Sequence, residues 1–414
     1  MDLLLLLLYI VALWVYMPRA GFLQRSNLST NQLRGLLAFK WLSAVATAFI
    51  FSHYANSNND YIVYSEEGYI QSKLLLSNPR AFFSELWTDV DRYGFGGFFD
   101  ASYSFWGYLR FHLIHKFSAI INLLSRGNFY MNALLFSSLT FWGHIAFYRI
   151  FSSMYPGKKW ACILGCFMLP SLMAFTALIH KDGLIFLCLA FCSYVFYKWL
   201  TGARRGFKDG LALTLALLGI MLIRNYVLVA LLPAMLTAAL LRNSKRKWML
   251  TLMLYLIFTL VFFCSNYLPQ AVVKRQQEFA LLEKGEAGLP IIPLQPTLKS
   301  FAENAPQAIA HGLLYPYPGQ TKEAFGMIAA LELAVLLLLM VTVIVVKRKQ
   351  WAKDVHPFHL YSILFFASMI FIIGYTIPNM GAIVRYRSLL WIFIFCPMLM
   401  QLPFQKMKWF KVKE

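Results

Sequence analysis

Apolar runs close to the ~20 residues that cross a bilayer core recur along this chain, separated by short basic turns and two long mixed loops. They delimit about eleven membrane segments, at 2–16, 35–54, 129–151, 160–178, 183–200, 209–223, 225–241, 248–266, 325–346, 357–377 and 387–403. The shortest of these imply a locally thinned bilayer or helices shielded by their neighbours. The pattern predicts an all-α fold, a polytopic membrane protein forming a single domain over residues 1–414. Leu3 to Val15 has the length of a secretion signal, but Asp2 is the sole early charge and no small-residue cleavage site follows. It reads as a retained helix.

One segment tests the count. Residues 109–125 include Ile114, Phe117, Ile120, Ile121 and Leu124, but also Arg110, His112, His115 and Lys116. Charges are costly at membrane depth, so this stretch reads as an interfacial amphipathic helix. The long loops are then 55–128 and 267–324. The first carries Asp60, Glu66, Glu67, Glu85, Asp89, Asp91 and Asp100, and the aromatic run from Tyr93 to Phe99. The second is rich in proline, which predicts irregular chain with short helices.

Charge orients the pattern. The net charge is +20, with 59% hydrophobic and 14% charged residues. In a soluble chain such a charge would suggest nucleic acid, but no soluble domain is left to host it. The basic residues instead cluster at segment ends: Arg19, Arg25 and Arg34; Lys158 and Lys159; Arg204, Arg205 and Lys208; Lys245, Arg246 and Lys247; Lys347, Arg348 and Lys349; Lys406, Lys408, Lys411 and Lys413. Under the positive-inside rule these are cytoplasmic, which predicts an N-out, C-in topology, with membrane lipids touching the clusters. Counting 109–125 as a span would put Lys245–Lys247 and Lys347–Lys349 outside. The cysteines, Cys162, Cys166, Cys188, Cys192, Cys264 and Cys396, lie in apolar segments and read as packing residues.

This topology brings unusual polar residues to the outer face. His180-Lys181-Asp182-Gly183 and Arg224-Asn225 form tight turns, and Asn379 to Arg387 leads into the last segment. Lys181, Arg224, Arg385 and Arg387 thus share a depth with Asp60, Glu66 and Glu67. Arginine grips phosphate oxygens bidentately and lysine adds a point charge. A carboxylate beside them would deprotonate a hydroxyl acceptor. Plainer readings stand beside these: Asp182 as a helix cap paired with Lys181, Arg224 snorkelling to the interface, and the loop acids as solvated charges. Arg385 and Arg387, two apart, face different ways on a helix. His53, His112, His115, His144 and His180 make no convincing metal set, whereas Glu66 and Glu67 are the carboxylates that would meet a divalent cation.

The stretch from Leu169-Pro170-Ser171 through His180-Lys181-Asp182-Gly183-Leu184-Ile185-Phe186, with Arg224-Asn225-Tyr226 and Asn379 to Arg387, resembles bacterial polytopic proteins of surface-polysaccharide biosynthesis. These are the GT-C-type glycosyltransferases and the related O-antigen polymerases. The GT-C resemblance implies a polyprenyl-phosphate-linked sugar donor, a glycan or lipid acceptor at the outer face of the bacterial inner membrane, and an acidic catalytic residue in the first large outer loop. That role falls on Asp60, Glu66 or Glu67, with Asp89, Asp91 and Asp100 in reserve. The binding residues are then Lys181, Asp182, Arg224, Arg385 and Arg387. The pattern departs from the family in placing that loop after the second span rather than the first. The polymerase resemblance emphasises Arg224, Arg385 and Arg387 instead. A third reading, a transporter or flippase of lipid-linked glycans, calls for broken helices or ionisable groups near the midplane. Lys40, Glu332, Pro170, Pro233 and Pro397 are the residues that would serve it.

Overall fold

The computed structural model describes residues 2–54, 59–100, 103–281, 288–317, 319–320, 324–351 and 355–402. Lys406, Lys408, Lys411 and Lys413 lie outside the described residues, as do the side chains of Lys347, Arg348 and Lys349. Helices dominate. The chain opens with α1 (Asp2–Tyr16), the short α2 (Gly21–Gln24) and α3 (Thr30–Tyr54). The first long loop folds as α4 (Asp60–Ser77), α5 (Pro79–Ser84), α6 (Thr88–Tyr93) and α7 (Phe105–Ser125). The bundle continues with α8 (Phe129–Met154), α9 (Lys159–Phe167), α10 (Pro170–Phe175), α11 (Lys181–Leu200), α12 (Phe207–Arg224), α13 (Tyr226–Leu240) and α14 (Lys247–Cys264). The second loop contributes α15 (Tyr267–Leu281) and α16 (Leu298–Ile309), before α17 (Ala324–Trp351), α18 (Pro357–Thr376) and α19 (Met380–Leu399) close the chain. Asn59, Asn78, Ser104, Asn128 and Asn379 start their helices by accepting a backbone N–H of the first turn.

Among the described residues, six helices are long and apolar enough to cross a membrane: Thr30–Tyr54, Lys181–Leu200, Lys247–Cys264, Gly326–Val345, Pro357–Thr376 and Met380–Leu399. Their surroundings differ sharply. The apolar window of α19 is 83% buried, whereas that of α14 is 6% buried. Leu252, Leu256 and Leu260 of α14 are exposed. An apolar helix so uncovered needs lipid as its solvent. This is a multi-pass helical membrane protein, with α19 at its centre against α8, α9, α10, α11, α17 and α18. Aromatic rings fill the core: Phe393 of α19 meets Phe147 at 5.0 Å and Phe365 at 5.1 Å between ring centroids.

The segment expected at 160–178 is not one continuous helix. Helix α9 ends at Phe167 and α10 begins at Pro170, whose missing N–H suits a first turn and breaks a continuing one. Two charges, a half-buried Glu332 and a buried Lys40, sit at the ends of α10. Glu332 of α17 accepts from the Ser171 N–H at 3.2 and 3.3 Å. Lys40 of α3 donates to the Met173 carbonyl at 3.1 Å and to Thr176 Oγ1 at 2.6 Å.

Residues 109–125 are helical, as expected, but α7 buries polar residues along with apolar ones. Ser118, Asn122 and Ser125 are buried beside Ile114 and Ile121, while Ile120 and Leu124 are exposed. The polar face packs on α4: Ser118 Oγ donates to the Tyr64 carbonyl at 2.7 Å, and Asn122 Nδ2 donates to the Ser65 carbonyl at 3.4 Å. Small residues and interhelical hydrogen bonds are the usual means of holding helices together in lipid. The charges of α7 find partners within the loop. Lys116 meets Glu85 at 2.5 Å, and His112 meets Asp89 at 2.8 Å.

Gly68 permits this approach, because a Cβ there would lie 2.1 Å from Ser118 Oγ. Gly68→Val should destabilise the protein by about 1–3 kcal/mol, the usual cost of overpacking. The measurement is the melting temperature of the purified protein in detergent. An unchanged value would refute the tight α4–α7 seam.

Candidate functional site

The ends of several helices converge at one end of the bundle. Lys181 opens α11, Arg224 closes α12, Tyr226 opens α13, Thr376 closes α18, and Arg385 lies in the second turn of α19. Basic residues mark the opposite end, where Lys247 donates to the Val355 carbonyl at 2.8 Å and Arg242 to that of Trp199 at 3.3 Å.

Asp182 is the anchor of this end. It sits in the first turn of α11 and is 0% exposed. Gly183 beside it lets α11 press on α8, since a Cβ there would lie 2.5 Å from the Phe136 ring. The carboxylate meets Arg224 Nη2 at 2.5 Å, His180 Nδ1 at 2.7 Å and Arg385 Nε at 3.4 Å. The expected turn pair with Lys181 is replaced by these, because the side chain points into the bundle. Arg224 also stacks on the Tyr386 ring, 3.8 Å from its centroid.

Asp60 extends the network. Its Oδ2 lies 2.9 Å from Arg385 Nη1 and 3.4 Å from His180 Nε2. His180 therefore stands between two carboxylates, one on each ring nitrogen. The His180 hydrogen bond, and then the Arg385 charge, hold the Asp60 carboxyl well below the usual carboxylate range against the opposing effect of burial. About half of the Asp60 side chain remains exposed. It faces a cavity of about 180 Å³.

That cavity has a mixed lining. Arg110, Lys181, Arg224, Arg275 and Arg385 line it together with Asp60 and His180. So do Val229 of α13, Phe262 of α14, Val272 and Phe279 of α15, and Ile372 of α18. The aromatic loop forms a wall. The Phe98 carbonyl accepts from Asn225 Nδ2 and from Arg110 Nη2, both at 2.5 Å, and the Phe99 ring lines the cavity.

Among the expected site residues, Asp60, Lys181, Arg224 and Arg385 share this cavity, with Asp182 behind them. Glu66 is exposed and Glu67 half-buried, and neither lines it. They follow Asp60 on α4, and Glu67 is about 10 Å further along the axis at 1.5 Å per residue. Arg387 points elsewhere: its Nη1 donates to the Gly312 carbonyl at 2.9 Å. Among the reserve acids, Asp89 pairs with His112, Asp100 pairs with Lys274 at 2.7 Å, and Asp91 is exposed. Among the described residues no group of three or more His, Cys, Asp or Glu is disposed to hold a metal ion. Arg110 and Arg275 are cavity residues that the sequence reading did not single out. Their signal is that they are cations in the loops opposite the basic clusters.

No protein-family model, curated protein or solved structure was found to match this chain.

A buried carboxylate deprived of its cation costs about 3–5 kcal/mol. Arg224→Met should accordingly lower the melting temperature sharply, and Arg224→Met combined with Asp182→Leu should restore much of it. A double variant no more stable than the single one would show that Arg224 does not serve to neutralise Asp182.

Proposed function

We propose that the protein is a glycosyltransferase of the bacterial inner membrane, GT-C-like, acting at the outer face on a polyprenyl-phosphate-linked sugar donor. The acceptor is a cell-envelope glycan or lipid. The carrying observation is the half-exposed Asp60 carboxylate in a cavity lined by both cations and apolar side chains. Val229, Phe262 and Ile372 come from apolar helices of the bundle, and Val272 and Phe279 from the loop helix α15; an amphiphile would enter with its tail along these side chains and its anion toward the cations. The cavity is lined at the end opposite Arg242 and Lys247. With the basic end cytoplasmic, this supports the N-out, C-in arrangement and the reading of about eleven segments.

In the transfer, the acceptor hydroxyl oxygen bonds to the anomeric carbon, and the bond from that carbon to the phosphate oxygen breaks. The electron pair leaves with the phosphate, and the hydroxyl proton passes to Asp60. A carboxylate with so low a proton affinity first serves to accept and orient the hydroxyl. It takes the proton as the transfer completes. Polymerisation of a polysaccharide uses the same elements and differs in the acceptor. Transport is favoured by the break between α9 and α10, but Lys40 and Glu332 are both engaged by the ends of α10.

Asp60→Asn should reduce glycan transfer at least about a hundredfold, within the usual contribution of a general base, while Glu66→Gln and Glu67→Gln retain it. The assay is glycan incorporation in complemented cells, with membrane levels of each variant measured in parallel. Wild-type transfer by a normally inserted Asp60→Asn protein would sink the assignment.

The orientation has its own test. Cysteines placed at the exposed positions Ser77 and Lys299, in a Cys264→Ser background, should react with a membrane-impermeant maleimide in intact spheroplasts. Reaction only after permeabilisation would invert the topology.

A further inference from the structure

The cations of the cavity differ in what already neutralises them. Arg224 is committed to Asp182, and Arg385 is shared between Asp182 and Asp60. Lys181 has no carboxylate within ion-pair distance among the described residues; its ammonium lies 5.7 Å from the Tyr64 ring centroid and 5.9 Å from that of Phe111. Arg110 donates to the carbonyls of Phe98 at 2.5 Å and Asp100 at 3.2 Å, which aim the guanidinium without cancelling its charge. Arg275 touches Glu278 at 3.5 Å. Even with Glu278 counted, the cavity wall remains net cationic.

We propose that Arg110, Lys181 and Arg275 form the binding site for a phosphate or diphosphate anion carried on a lipid, whereas Arg224 and Arg385 hold the site's shape. The inference rests on the cavity being the donor site of the transfer described above. Like charges gathered in a partly desolvated space repel one another. An entering anion would relieve that repulsion. The surroundings carry the mark of this field. Burial and the neighbouring Arg275 pull Arg110 down to about 10. Burial, and then Lys181, hold His115 down to about 4. The three residues come from α7, α11 and α15, so the anion would also tie both long loops to the bundle. Val272 and Phe279 share α15 with Arg275 and line the same cavity. One helix thus presents both the anion contact and the start of the path for the tail.

The test is probe binding to the full-length protein in nanodiscs of zwitterionic lipid, with farnesyl diphosphate, inorganic pyrophosphate and farnesol. Farnesyl diphosphate should bind and raise the melting temperature, pyrophosphate should bind more weakly, and farnesol should leave the melting temperature unchanged. Lys181→Gln and Arg275→Gln should each weaken farnesyl diphosphate binding at least tenfold. Their ligand-free melting temperatures should be unchanged or higher, because each removes a repelling charge. Arg224→Gln, by contrast, should melt earlier without ligand.

Unchanged affinity in both variants would overturn the site. So would ligand-free melting that falls as far as in Arg224→Gln, since the cations would then be structural. Pyrophosphate binding as tightly as farnesyl diphosphate would overturn the lipid-borne occupant. Anion binding that depends on Lys181 and Arg275, in a protein whose Asp60→Asn variant still transfers, would uphold this site and refute the catalytic assignment.

Discussion

A fully buried carboxylate survives in a helix bundle only where cations reach it, and in this protein Asp182 gathers two from different helices. Arg224 arrives from the end of α12 and Arg385 from the start of α19, while the His180 ring, from the residue before α11, lies against the same carboxylate. Asp60, at the start of α4, joins through Arg385 and His180. One charge therefore fixes the ends of four helices relative to one another. The side chains lining the cavity inherit their positions from that knot, including the carboxylate best placed for chemistry.

The location of the knot gives the cavity its mixed lining. It lies where apolar helices end, so charged residues share the wall with side chains such as Phe262 and Ile372. The loop helices complete the enclosure through a seam of small polar residues. Helix α7 turns serine and asparagine toward α4 beside the buried Ile114 and Ile121, and leaves Ile120 and Leu124 outside. Interhelical hydrogen bonds of this kind hold helices together beside lipid. The seam also holds Arg110 and the aromatic loop against the Arg224–Asn225 turn.

Charges within the apolar bundle follow a related rule. Glu332 and Lys40 meet the N–H and carbonyl groups that the broken helix leaves free, and Arg387 serves the Gly312 carbonyl. In a medium without water, an unmet backbone group and an unmet charge are both expensive. Pairing them resolves both, and explains why a charge in an apolar segment is not by itself a transport site.

The sequence alone determined that this is a helical membrane protein, the approximate extent of its apolar helices, and the turns where Lys181, Arg224 and Arg385 would be found. Hydropathy and capping are local properties: a run of apolar residues crosses lipid wherever its neighbours lie, and Asn128 or Asn379 caps the helix that follows it. The break before Pro170 was partly legible, as a proline in an apolar run, but a kink and a full interruption have the same sequence. Only the tertiary structure separated Asp60 from Glu66 and Glu67, sent Arg385 and Arg387 to different partners, and brought in Arg110 and Arg275 from two distant loops. Those outcomes depend on distances of a few ångströms between charges on different helices, which no spacing along one chain encodes.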